Sequence, residues 1–155
     1  MPADPFLDQD LRVLTPEAFD FVFGNELKRA MRSQNFLTLL LIDAAGRGAA
    51  ERRQMAREIA QLVSREVRET DLLSPTDEGR LSLVLLDADL QNSMRVVDRL
   101  RARIEHYQFA NPMAISVGAA CCPMHGADAE SLRQAAEGRA LDERRRESRG
   151  NTNAQ

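Results

Sequence analysis

The sequence predicts an α/β domain, a central sheet covered by helices on both faces, on three observations. Leu37 to Ile42 is apolar at both odd and even positions apart from Thr38, which suits a strand buried on both sides. Phe19, Val22, Phe23, Leu27, Ala30 and Met31 recur at helical spacing before it, and Met55, Ile59, Leu62, Val63 and Val67 do so after it. Leu72 with Leu73 and Leu81 to Leu86 flank the turn-forming stretch Pro75-Thr76-Asp77-Glu78-Gly79, the pattern of a β-hairpin.

Each element has its own local reason. Thr15 before Pro16 and Glu17 is an N-cap followed by proline and an acidic first turn, so a helix starts there and runs to about Ser33. Ala44-Ala45-Gly46-Arg47-Gly48 breaks the apolar pattern and leads into a second helix expected to end near Arg68. Of the hairpin strands, Leu81 to Leu86 is the central one. Met94, Val97, Leu100, Ile104 and Tyr107 mark a third helix, Met113 to Ala120 a further strand stopped by Pro123, and Asp128 caps a fourth helix through Leu132, Ala136 and Ala140. Residues 1–14 are assigned to an N-terminal extension, 15–149 to the domain and 150–155 to a polar tail expected to be disordered.

Composition bounds the function classes. With 155 residues, 43% of them apolar and 29% charged, the chain is sized and balanced for one globular domain. Its longest apolar run is far below the roughly 20 residues that cross a bilayer. Met1 to Pro5 carries no basic start and no apolar stretch, so no secretory signal is expected. The net charge is -3 with signs interleaved, and Lys28 is the only lysine among 21 basic residues. Such a field gives no reason to expect nucleic-acid or membrane binding. The run Arg144-Arg145-Arg146 alternates with acids and reads as a solvated helix face. Adjacent Cys121 and Cys122 suit neither a disulfide framework nor a zinc site, and reduced thiols in a cytoplasmic setting are expected. His106 and His125 are assigned no role.

Several phrases together resemble the GGDEF domain family. They are Leu39-Leu40-Leu41-Ile42-Asp43, Arg68-Glu69-Thr70-Asp71-Leu72-Leu73, Ile115-Ser116-Val117-Gly118-Ala119-Ala120 and the segment Asp128 to Ala140, in the family's order and spacing from about Thr15 to Arg149. The resemblance implies a palm-like α+β fold, a mostly antiparallel central sheet flanked by helices, similar to nucleotide cyclases. Active members condense two GTP into cyclic di-GMP with carboxylate-bound divalent cations. By the resemblance Asp43 stands at the first metal carboxylate, and the signature falls on Asp77-Glu78-Gly79-Arg80-Leu81.

The chain departs from that pattern where catalysis needs it most. Ala45 stands where the aspartate is usually repeated, two anions replace the glycine pair that approaches phosphate, and Gly79 has no ligand to offer as second metal carboxylate. The loop at Gly46-Arg47-Gly48 is shorter than the family's and lacks its guanine-reading groups. No lysine stands in the last helix, and Arg144 to Arg146 replace it in charge but not in geometry. Sliding the hairpin by two residues would instead bring Asp77 and Glu78 to the acidic positions, with Pro75 and Thr76 in place of the glycines. That alternative is a divergent cyclase holding magnesium weakly at Asp43 and Asp77 or Glu78. The main expectation is an inactive domain that needs no cofactor and has no metal site.

A second feature of the resemblance is retained. Arg68 and Asp71 match the R-x-x-D spacing and place of the family's cyclic di-GMP product-inhibition site, five residues before the signature, and Arg99 matches the arginine that the following helix often adds. An arginine forks onto phosphate or the Hoogsteen edge of guanine, and a carboxylate accepts from guanine N1 and N2. The ordinary alternative is structural, an arginine at a helix end and an aspartate opening a turn. The expected function is therefore an inactive signalling domain that either receives cyclic di-GMP at Arg68, Asp71 and Arg99 or docks a protein partner, a second copy of itself included.

Overall fold

The structure, a computed structural model of the chain, describes residues 13–44, 48–76, 79–106 and 115–138. In order they form helix α1 (Pro16–Ser33), strand β1 (Leu37–Ala44), helix α2 (Ala49–Ser64), strands β2 (Leu72–Pro75) and β3 (Arg80–Leu86), helix α3 (Leu90–His106) and strand β4 (Ile115–Cys122). A last helix, α4, is described over 129–138. The four strands make one sheet in the order β2-β3-β1-β4, every neighbouring pair antiparallel. Both strands expected to be central are so.

Alternation along the strands sorts the core into two layers, because successive side chains leave a strand on opposite faces. Leu40 and Ile42 of β1 join Leu81, Leu83 and Leu85 of β3 against Met55, Ile59 and Val63 of α2 and Val97, Leu100 and Ile104 of α3. Leu37, Leu39 and Leu41 join Val84 and Cys122 against Phe19, Phe23 and Leu27 of α1 and Leu132 and Ala136 of α4. Helices α2 and α3 therefore cover one face, and α1 and α4 the other. Thr38, the one polar residue in the β1 run, donates its hydroxyl to Ala88 O at 2.9 Å, which satisfies it in the core.

Local chemistry explains the ends. Thr15 Oγ1 accepts from Ala18 N at 3.2 Å and Pro16 opens α1, as expected. Gly79, at φ +85°, closes the hairpin: its N–H donates to Thr76 O and Thr76 N–H donates to Arg80 O. Glycine takes this left-handed conformation at no steric cost, which suits the entry into β3.

Some boundaries shift. Helix α2 stops at Ser64 rather than near Arg68, because Arg65, Glu66 and Val67 donate their N–H groups back to Leu62 or Val63 in a tightening turn. Val13 is buried, and Leu14 N–H donates to Leu73 O at 2.8 Å, so the domain starts before Thr15. Met31, placed on the buried stripe of α1, is half exposed, since that stripe is carried by Phe19, Phe23, Leu27 and Ala30. Tyr107, Met113, Ala140, Arg144 to Arg146 and the 150–155 tail lie outside the described residues. Among the described residues no helix is long and apolar enough to cross a membrane.

Candidate functional site

Two groups of sequence-predicted residues occupy opposite ends of the sheet. At the β1 C-terminal end, the register sets Asp43 opposite Arg80, and directly opposed residues share a face. Arg80 Nε donates to Asp43 Oδ1 at 2.9 Å, and its Nη1 donates to Glu137 Oε1 at 2.8 Å on α4. Partial burial opposes the guanidinium's charge, yet the hydrogen bonds and charges of Asp43 and then Glu137 outweigh it and hold Arg80 above its ordinary pKa.

Gly79 lies beside this pair, packed onto α2. A Cβ built there would come 2.6 Å from Arg52 Cβ and 2.9 Å from the Arg52 carbonyl carbon. Helix backbone thus fills the space that a side chain at 79 would need. At the position the resemblance gives to the first metal carboxylate, Asp43 is engaged by an arginine, and a side chain at 79 would meet the backbone of α2. Among the described residues no three His, Cys, Asp or Glu side chains are grouped to hold a metal ion. Leu81 is fully buried in the core, and Asp77 and Glu78 lie outside the described residues.

At the other end, Arg68, Asp71 and Arg99 come together on an open cleft of about 320 Å³, lined also by Glu66, Asp87 and Asn92. They are not equivalent. The Asp71 side chain is only 3% exposed. Its Oδ2 accepts from Arg68 N at 3.0 Å and its Oδ1 from Leu86 N at 3.1 Å, so it fastens the loop after α2 to the end of β3. Arg68 is 63% exposed, with its Nη2 3.7 Å from Asp71 Oδ1 and donating to Leu86 O. Arg99 is held by Glu66, through Nη2 to the main-chain oxygen at 3.0 Å and through Nε to Oε2 at 3.2 Å.

Sequence spacing found Arg68, Asp71 and Arg99 but missed Glu137, Glu66 and the packing of Gly79 on Arg52. Arg80 stands in the signature segment, but its pairing with Asp43 belongs to the β1–β3 register, and like the reach of Glu137 and Glu66 to their partners it comes from tertiary packing and leaves no local signal. His125, given no role, accepts the Cys121 N–H at Nδ1 (2.8 Å) and closes the turn after β4.

Solved structures of GGDEF domains share this arrangement of strands and helices. The chain has a GGDEF-like fold. It is similar to the GGDEF domain of YfiN (TpbB) from Pseudomonas aeruginosa, with 18% identity, TM-score 0.75, and 90% of this chain and 88% of that one covered. The GGDEF domain of DgcB from Caulobacter crescentus, solved in complex with c-di-GMP, matches with 12% identity, TM-score 0.78 and coverage of 94% and 90%. The Pseudomonas aeruginosa diguanylate cyclase SiaD, solved with its activator SiaC, matches at 19% identity and TM-score 0.72 over 89% of this chain and 57% of that one. No protein-family model and no curated protein matches the chain. The GGDEF-like fold thus supplies the frame in which the Arg80 bridge and the arginine-lined cleft sit.

Proposed function

We propose that this chain is a GGDEF-like signalling domain without cyclase turnover that receives cyclic di-GMP in the cleft of Arg68, Asp71 and Arg99. One observation carries it: two half-exposed arginines from different elements face a common cleft, while the carboxylate at the end of β1 is tied to Arg80. Arginine pairs suit phosphodiesters because each guanidinium presents a fork of donors. Arg80 and Gly79 support loss of turnover, since metal-assisted phosphoryl chemistry needs carboxylates free to hold the metal against polyphosphate. The DgcB complex supports cyclic di-GMP as the ligand class.

Calorimetric titration with cyclic di-GMP tests the receptor half. Saturable heat that disappears in Arg68→Ala supports it, and absence of heat at high micromolar ligand removes it. Incubation with GTP and magnesium or manganese tests the silent half. Product that forms and then vanishes in Asp43→Ala would establish the divergent cyclase instead.

Burial of Asp71 favours a second reading, a protein-docking module, because a carboxylate held by two backbone N–H groups has little edge left for guanine. Phe21, 66% exposed on α1, is an apolar contact such a partner would cover. A silent cyclic di-GMP titration together with concentration-dependent sedimentation would favour self-association through that face.

A further inference from the structure

Glu66 and Arg99 of the cleft, with Arg103 beside them, form an arrangement that the R-x-x-D spacing does not describe. Glu66 sits in the turn after α2, with its side chain 16% exposed. Each of its carboxylate oxygens takes a different arginine of α3: Oε2 lies 3.2 Å from Arg99 Nε and Oε1 lies 2.9 Å from Arg103 Nε. Arg99 and Arg103 are one helical turn apart and so share a face. Isolated surface ion pairs contribute little. Here one anion is held through both oxygens by two guanidiniums, and the Glu66 main-chain oxygen steadies one of them.

We infer that Arg99 and Arg103 form a phosphate clasp, filled in the free protein by the Glu66 carboxylate, which a phosphodiester must displace in order to bind. The inference rests on the receptor reading above and adds to it a further binding residue, Arg103, and an internal competitor, Glu66. A phosphodiester offers two anionic oxygens on one centre, the same pattern that the carboxylate now satisfies. While Glu66 stays, its charge and those of Asp71 and Asp87 offset the arginines, so an incoming anion gains little. When the carboxylate swings out, the hydrogen bond from Arg99 Nη2 to the Glu66 main-chain oxygen is still available to keep Arg99 on the cleft. Glu66 therefore sets the affinity of the cleft.

The test is calorimetric titration of the full chain with cyclic di-GMP in the wild type, Glu66→Gln, Arg103→Ala and Arg68→Ala, each first shown to unfold cooperatively. Glu66→Gln keeps an acceptor but removes the competing charge, and is expected to bind about tenfold tighter, the size of one charge-assisted hydrogen bond. Arg103→Ala is expected to bind about tenfold weaker. Wild-type binding that is lost in Arg68→Ala but unchanged in both Glu66→Gln and Arg103→Ala overturns the clasp and leaves the receptor reading standing. Absence of heat from the wild type and from Glu66→Gln alike overturns the receptor reading, and the clasp with it.

Discussion

Arg80 lies between Asp43 and Glu137, 2.9 Å from Asp43 Oδ1 and 2.8 Å from Glu137 Oε1, so one guanidinium joins β1, β3 and α4. The guanidinium is a covalently fixed, always protonated cation held between two carboxylates.

The bridge has a stability that can be measured. Arg80→Leu leaves Asp43 without its 2.9 Å partner at a partly buried position, with an expected cost of about 1–2 kcal/mol in urea unfolding. The Asp43 branch is the more sheltered. A double-mutant cycle of Arg80→Leu with Asp43→Asn is expected to show coupling of about 1 kcal/mol, against roughly 0.5 kcal/mol for Arg80→Leu with Glu137→Gln, whose carboxylate is half exposed. Equal coupling in both branches would contradict this geometry.

Restoring a carboxylate at position 79 is not expected to restore a metal site. Gly79→Asp must place a Cβ 2.6 Å from Arg52 Cβ and against the helix backbone, at a positive φ that side chains resist. Destabilisation of about 1–3 kcal/mol is expected, with no magnesium-dependent GTP turnover. Thermal unfolding with and without magnesium checks both parts. A variant as stable as the wild type and further stabilised by the metal would show that the tip can open away from α2.

Arg68 and Asp71 are expected to part company under mutation despite their shared motif. Asp71→Ala removes the acceptor of two backbone N–H groups, one of them partly buried, and is expected to cost about 2 kcal/mol and to speed amide exchange at Leu86. Arg68→Ala, at a largely exposed side chain, is expected to cost less than about 1 kcal/mol. Arg68→Ala is accordingly the clean probe of ligand binding, and loss of binding in Asp71→Ala alone would report a loosened loop. Denaturation curves for the two variants decide the ordering.

These contrasts show what a one-dimensional pattern can carry. The β1 run was legible because both its faces are buried, which makes it continuously apolar, and α1 was legible because Thr15 and Pro16 mark its start chemically. The end of α2 was not, since Val67 continues the helical stripe past Ser64 and packs against the core from a turn instead. At the site, fixed spacing brought out Arg68, Asp71 and Arg99, but spacing is silent on exposure. Asp71 faces the backbone N–H groups of Arg68 and of Leu86 at the end of β3, and Arg99 faces Glu66 through a contact made only when α3 packs beside the turn after α2. Arg80 is similar: the hairpin turn fixes its place in β3, but both its partners, Asp43 through the β1–β3 pairing and Glu137 through α4, need the tertiary structure.

The start of α4, the helix that carries Glu137 to Arg80, gives a pH-dependent test. Asp128 Oδ1 accepts from Ser131 N at 2.8 Å and its Oδ2 from the Ser131 hydroxyl at 3.1 Å. The backbone hydrogen bond first, and then the hydroxyl, hold the Asp128 carboxyl below its ordinary value of 3.8. A carboxyl depressed in the folded state stabilises the fold at pH values above its unfolded pKa and loses that contribution as pH falls through the folded pKa. The cap is therefore intact at neutral pH and released only in strong acid. A carboxyl titration followed by NMR is expected to place the Asp128 midpoint below 3.8, and Asp128→Asn, a good cap without the charge, to flatten that part of the acid unfolding profile while leaving neutral stability nearly unchanged. A midpoint at or above the ordinary value would mean that Ser131 does not donate to Asp128 in solution, and that α4 starts without this cap.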